Sequence, residues 1–308
     1  SLHYDFINMS EKIKKLAFCA PEKLLLTVNI FLLPLIFCTS FQNILDFPKR
    51  EVFLFLTLLA FLFWLAKGIF KKELKIQLNP IFFASFGLLV ALLISSSLSL
   101  YKASSFLGLV FNPTDNFLSF FVLILNTFLI SQVFRKEDVL KILKIFISSV
   151  AFAVLFGILQ IFNIFILPIS STKISSFNLL GRVSLGGLVS AIFLPLSLVL
   201  FFSEKTKRSK IFLSVASLIF LFALILYDFK LAWIELFIFS VILSIFATKN
   251  LFSKKEFFWT ITLSLLLIIS VFFFFFAPKL TFLPSIPNEV SPGFGTETDV
   301  LRLSLIHI

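Results

Sequence analysis

Apolar residues in this chain gather into long runs separated by short polar stretches, without the alternation that would mark half-buried strands. The runs cover Leu24 to Ile44, Val52 to Phe70, Pro80 to Leu100, Phe117 to Phe134, Ile145 to Leu167, Leu185 to Phe202, Ile211 to Tyr227, Leu231 to Thr248 and Phe257 to Ala277. Each has 17 to 23 residues. At 1.5 Å per residue such a run spans a hydrocarbon layer of about 30 Å, and in lipid a helix satisfies its own backbone groups. The pattern predicts an all-α, polytopic integral membrane protein with nine transmembrane helices between residues 24 and 277. Residues 1–23 form an N-terminal segment on one side, and residues 278–308 begin a loop on the other.

The polar stretches carry orientation. Counted over alternate connections, 19 Lys and Arg residues fall on the side of the N-terminus and eight on the opposite side. Cationic loops stay in the cytoplasm, so the N-terminus is expected there and the C-terminal end outside. The first run is too long for a cleaved secretory signal and lacks a small-residue cleavage pattern, which predicts a retained signal anchor.

Composition narrows the classes further. Hydrophobic residues make up 59% and charged residues 14% of the 308 positions. Too few polar side chains remain to coat a water-facing surface. The formal charge of +11 comes in short clusters between apolar runs and not on one continuous face, so nucleic acid is not an expected partner, whereas membrane lipid is. Cys19 and Cys38 form no CxxC pair, and His3 and His307 lie at the extreme ends, so no metal site and no cofactor are expected. The 47 phenylalanines suit hydrocarbon and add bulk at helix contacts. Met9 precedes the basic stretch Ser10 to Lys15 as a natural start would, and Ser304-Leu305-Ile306-His307-Ile308 resembles translated adapter sequence. The natural protein is therefore expected to continue beyond about Arg302.

Candidate chemistry lies on the outer side. Of the two longer connections there, Tyr101 to Asn116 contains Ser104-Ser105-Phe106-Leu107-Gly108-Leu109-Val110, which reads as a short interfacial helix. It is either the edge of a lipid-substrate groove or an apolar connector. The other, Pro168 to Ser184, leads from Asn178 through Arg182 to Gly186-Gly187 and into a run containing Pro195. Glycines at a helix entrance allow close backbone approach, and Arg182 offers a planar fork for phosphate or a side chain that snorkels to headgroups. Tyr227-Asp228-Phe229-Lys230 makes a tight hairpin that fixes Asp228 and Lys230 at the outer rim.

Glu235 is the ionisable residue placed clearly inside an apolar run, about 7 Å deeper than Lys230 along a helix. A carboxylate at bilayer centre costs about 2.5 to 3.5 kcal/mol, so it should face protein, water or a partner. Lys230 stands about 140° around the helix from it, which leaves Arg182 or the pair Gln160 and Asn163 as candidate partners. Alternatively Glu235 is protonated or shallow enough to reach interfacial water.

Three passages resemble the O-antigen ligase and polymerase family. They are Phe47-Pro48-Lys49-Arg50 ahead of the second run, Ser95-Ser96-Ser97-Leu98-Ser99-Leu100-Tyr101 with its interfacial segment, and Tyr227-Asp228-Phe229-Lys230-Leu231-Ala232-Trp233. The last is similar to the family's Ser-Arg-Ala-type helix start, with Lys230 in place of the arginine, which keeps the charge and loses the fork. Pro287 to Thr296 resembles the opening of the large outer loop of related bacterial proteins. The resemblance implies a multi-pass protein of the bacterial inner membrane. It also implies metal-independent transfer of a glycan from a polyprenyl-pyrophosphate carrier to an acceptor whose identity stays open, as does the choice between ligation and polymerisation. On that reading Arg182 and Lys230 bind the pyrophosphate and Glu235 is an orienting or structural carboxylate. The family's acceptor-activating His would lie beyond Ile308, and this fragment would be inactive.

A transporter or flippase of lipid-linked sugars is the alternative, and it would call for paired repeats and several intramembrane charges. A channel would show a polar stripe or charged ring, which no run contains.

Overall fold

The computed structural model describes residues 21–39, 44–72, 76, 80–108, 115–167, 169, 172–173, 177–181, 183–227, 229–248, 262, 265–273 and 275. Nine named helices follow in order among them: α1 Pro21–Leu32, α2 Asp46–Lys71, α3 Pro80–Leu98, α4 Lys102–Leu107, α5 Phe117–Val133, α6 Lys136–Ile161, α7 Val183–Ser203, α8 Lys207–Tyr227 and α9 Lys230–Thr248. Residues 265–273 are helical as well. Among the described residues there is no strand, and β-pairing is confined to an isolated bridge between Asn178 and Gly181. Four helices, Asp46–Phe70, Lys136–Ile161, Ser184–Ser203 and Lys207–Tyr227, are long and apolar enough to cross a membrane, and 82–98 and 117–133 are shorter apolar helices. The chain is an all-helical protein whose apolar helices are those of a membrane protein. Phe55, Leu62, Phe83 and Leu218 lie exposed on their outer faces, where hydrocarbon and not water is the suitable neighbour.

Helix ends follow local chemistry more closely than hydropathy. Inside the first apolar run, α1 stops at Leu32, so this run does not continue as one helix to Ile44. Pro34 has no N–H for the carbonyl of Ile30 and disfavours helical geometry at Leu33. The Leu33 N–H still reaches the Asn29 carbonyl (3.0 Å), and a bond from Cys38 to the Ile44 carbonyl (2.9 Å) closes the connection that follows. Phe47-Pro48-Lys49-Arg50 lies within the first turns of α2 and not ahead of it. Proline is accepted there because a helix's first N–H groups have no intrahelical acceptor.

In α6 the helix begins at Lys136, nine residues before the apolar run, since nothing in Lys136 to Lys144 breaks a helix and Glu137 and Asp138 suit its positive end. It ends on Asn163, whose φ of 59° is left-handed. The Asn163 N–H bonds the Gln160 carbonyl (2.9 Å) and the Ile164 N–H bonds the Leu159 carbonyl (2.9 Å), the paired bonds of a Schellman cap. Asn116 caps α5 by accepting from the Ser119 N–H at 3.0 Å. The interfacial helix expected from Ser104 onward is α4, which starts at Lys102 and stops at Gly108, where φ is 82°.

The chain divides into two compact units, 1–152 and 153–308. In the first, α1, α2 and α5 enclose Leu26, Ala60 and Leu129, with Trp64 edge-on to Phe128 at 5.6 Å. Dispersion alone would leave such helices free to rotate against one another in lipid, and polar groups supply direction. Asn29 Nδ2 donates to Thr57 Oγ1 (3.1 Å) and Asn126 Nδ2 donates to the same oxygen (2.9 Å), joining the three helices through side chains that are all buried. Glu22 of α1 pairs with Lys67 of α2, and Lys23 pairs with Asp138 at 2.7 Å. Replacing Thr57 with valine is expected to strand the Asn126 amide, leave Asn29 only its long bond to the Phe53 carbonyl (3.5 Å) and lower stability by about 1 kcal/mol, given about 0.6 kcal/mol for a typical intramembrane hydrogen bond. Reversible unfolding in mixed micelles, with Asn126→Leu on the same background, measures it, and full additivity of the two losses would show that no bond is shared.

In the second unit α7 is the central helix, with α8 and α9 both packed on it. Small residues bring α7 and α8 together. Ser197 Oγ and Ser217 Oγ lie 2.7 Å apart, Ala216 and Ala223 are buried, and Phe193 meets Phe220 at 5.9 Å. Pro195 sits within α7, where the Ala191 carbonyl loses the N–H it would otherwise accept.

Candidate functional site

Antiparallel succession sets where the polar groups of the second unit meet. The chain leaves α8 at Tyr227 and enters α9 at Lys230, so the end of α8 and the start of α9 occupy one end of the unit. Gly187, in the second turn of α7, joins them. A Cβ built there would lie 3.5 Å from Phe229 Cβ, 3.6 Å from Ala232 Cβ and 3.8 Å from Tyr227 Cβ, which is ordinary packing distance. The first turns of α7 and α9 are therefore neighbours. Each presents N–H groups without intrahelical acceptors and the positive end of a helix dipole.

A slot between glycines holds this end together. Tyr227 is 5% exposed, and its hydroxyl points at the Val154 carbonyl of α6 at 3.5 Å. Gly157 of α6 faces the same hydroxyl, and a Cβ there would stand 2.6 Å from it and 3.0 Å from Asn178 Nδ2. On the other side Gly186 of α7 faces the tyrosine ring and the Asn178 amide, with Cβ distances of 2.6 and 2.8 Å. Asn178 is locked into its own turn, since its Oδ1 accepts from the Leu180 N–H (3.0 Å) and its carbonyl accepts from the Gly181 N–H (3.0 Å). Gly181 has φ of 111°, a conformation that favours glycine, and Phe177 beside the turn is buried edge-on to Phe156. The turn thus delivers the chain to the start of α7 from a fixed point.

Among the residues expected to carry chemistry, Arg182 lies outside the described residues, between Gly181 of this turn and Val183, the first residue of α7. Asp228 also lies outside them. Lys230 opens α9 and is exposed. Glu235, farther along α9, is half-buried, and its Oε2 is buried without a hydrogen-bond partner among the described residues. No ion pair joins it to Lys230 among the described residues, and the candidate partners on α6 do not reach it. Gln160 is buried with neither amide atom bonded among the described residues, and Asn163 is exposed as the residue that ends the helix. Trp233, between Lys230 and Glu235, is buried and stacks on Phe273 at 4.7 Å.

The glycine pair 186–187 does admit close approach, and its neighbours are Tyr227, Asn178, Phe229 and Ala232. Gly157 escaped sequence reading because a lone glycine in an apolar run has no local signature, and its partners are 21 and 70 residues away. Gln160 was legible as a polar residue in such a run, but its complete burial was not.

Chemically, this end of the unit suits an anion. It combines two helix starts and an exposed ammonium, with a carboxyl group deeper in α9. Among the described residues no three His, Cys, Asp or Glu side chains converge as they would around a metal ion. No protein-family model, curated protein or solved structure matches the chain.

Proposed function

We propose that this chain takes part in glycosyl transfer of the O-antigen ligase type, moving a glycan from a polyprenyl-pyrophosphate carrier to an acceptor at the outer face of a bacterial inner membrane. In this reading the chain crosses nine times with its N-terminus in the cytoplasm, as the 19 to 8 partition of cationic residues supports. The observation that carries the proposal is the meeting of the α7 and α9 starts at Gly187, with Lys230 on one and Arg182 immediately before the other. Negative charge grows on the departing pyrophosphate during transfer, and cations and helix N-termini placed there stabilise the transition state more than the ground state. Lys230 and Arg182 supply the charge, while Glu235 is the orienting carboxylate.

Binding of a polyprenyl pyrophosphate to the purified chain in nanodiscs tests the assignment without requiring turnover. Arg182→Gln and Lys230→Gln are each expected to weaken binding about tenfold, the effect of one charge-assisted contact. Unchanged affinity in the double variant would remove the clamp. Movement of a fluorescent lipid-linked sugar between leaflets of proteoliposomes would favour transport instead.

A further inference from the structure

The first unit contains a cavity of about 290 Å³ between the loop after α1 and the beginnings of α2 and α5. Its body is apolar, formed by Phe53 and Leu54 of α2 and Val122 and Leu123 of α5, with Leu33 beyond the end of α1. At one end stand Asp46, Lys49 and Arg50 of α2 and Ser119 of α5. The polarity changes along both helices in step. Lys49 and Arg50 lie one turn before Phe53 and Leu54, and Ser119 lies one turn before Val122 and Leu123, so each polar residue stacks over an apolar one on the same face.

Both helices start at the polar end, which adds their N-terminal dipoles to the two cations. The lining carries two positive charges and one negative, from Asp46, and Glu51 beside it pairs with Arg50, so the two helix starts supply the surplus that favours an anion. Arg50 is held in place: Nη1 donates to the Leu107 carbonyl at the end of α4 (2.9 Å), Nε donates to Glu51 Oε1 (2.9 Å), and the guanidinium lies 5.2 Å over the Phe47 ring. Its position is fixed by the fold rather than by a ligand, as a preorganised site requires.

From this gradient we propose that the cavity holds one acyl chain of an anionic membrane phospholipid, with the lipid phosphate at Lys49 and Arg50. A chain lying along Phe53, Leu54, Val122 and Leu123 meets only carbon, and the phosphate meets the cations where the helices begin. The volume is at the lower end of ordinary ligand sites, about 300 Å³, and accommodates part of one chain rather than a whole lipid. Sequence reading set Lys49 and Arg50 ahead of the helix, where they would have been loop charges without a floor beneath them. This site lies in the first unit and does not depend on the glycosyl-transfer reading, which rests on the second.

Native mass spectrometry of the detergent-solubilised chain tests the proposal with three probes: phosphatidylglycerol, diacylglycerol, which lacks the phosphate, and glycerol phosphate, which lacks the chains. The expected result is one phosphatidylglycerol retained about tenfold more tightly than diacylglycerol, and no binding of glycerol phosphate. Lys49→Gln should bring phosphatidylglycerol down to the level of diacylglycerol. Val122→Trp should fill the cavity and abolish retention. Equal retention of the two lipids by the unaltered chain would overturn the proposal. Binding of glycerol phosphate alone would replace it with a simple anion site. Should Val122→Trp fail to fold, photo-crosslinking with diazirine-tailed phosphatidylglycerol on the unaltered chain decides: adducts on the peptides of residues 53–54 or 122–123 support the site, and adducts confined to other segments overturn it.

Discussion

Gly186→Val is expected to destabilise the detergent-solubilised chain by about 3 kcal/mol, the upper end of the range for an overpacked core. For a chain of this size that lowers the melting temperature by roughly 6–12 °C. The new Cβ would lie 2.6 Å from Tyr227 Cε2 and 2.8 Å from Asn178 Nδ2. Neither neighbour has room to yield. Tyr227 is pinned by the Val154 carbonyl and backed by Gly157, while Asn178 is tied to the backbone of its own turn. Valine also brings a second branch, so the helix must shift or the tyrosine must leave its slot. Gly87→Ala is the matched control, because a Cβ at Gly87 meets nothing within 4 Å. That change should raise helix stability by up to about 1 kcal/mol. Thermal unfolding followed by circular dichroism compares the two, and equal melting temperatures would mean that Tyr227 and Asn178 do not fill the space between the glycines.

Removing the cation from Lys67 should have the second largest effect. Glu22 has a side chain only 2% exposed, and its pairing with Lys67 carries one carboxylate oxygen while Oε2 has no partner among the described residues. Lys67→Met therefore strands a buried negative charge. Breaking a fully buried pair costs about 3 to 5 kcal/mol, but Lys67 is 42% exposed and so shares its charge with solvent, which brings the expected loss to about 2 kcal/mol. Restoring neutrality on both sides should recover most of it, so Glu22→Gln with Lys67→Met is expected to be more stable than Lys67→Met alone. Unfolding of the two single variants and the double variant gives the coupling directly, and strictly additive losses would show that the pair contributes nothing.

Apolar run length located most of the helices because the backbone must bond to itself wherever hydrocarbon surrounds it, and α3 and α5 start at Pro80 and Phe117, where their runs start. Run length fails where helix formation and hydropathy separate. Pro34 is hydrophobic enough to pass unnoticed inside the first run yet ends α1 at Leu32, and the charged residues Lys136 to Lys144 look like a loop yet are helical. Pro48 misled in the opposite sense, since a proline ahead of an apolar run reads as a boundary but is compatible with a helix's first turn. For the candidate site, Glu235 and Lys230 stood out as charges at an apolar run and at its edge. What the pattern along the chain does not contain is pairing across it. Asn29, Thr57 and Asn126 are single polar residues in three separate runs, and only packing reveals one hydroxyl accepting from two amides. The slot around Tyr227 has the same character, being assembled from Gly157, Asn178 and Gly186.

The shared hydroxyl of Thr57 also bears on biogenesis. A ribosome delivers Asn29 and Thr57 to the insertion machinery well before Asn126, which follows Thr57 by 69 residues. The early pair can form by itself, because the bond from Asn29 occupies only one lone pair of the threonine oxygen and leaves another for the latecomer. Among the described residues the amide of Asn126 finds its acceptor in Thr57, made earlier. The third strut of this bundle should therefore linger at the translocon until the first two have docked, which makes order of synthesis part of how the bundle finds its register.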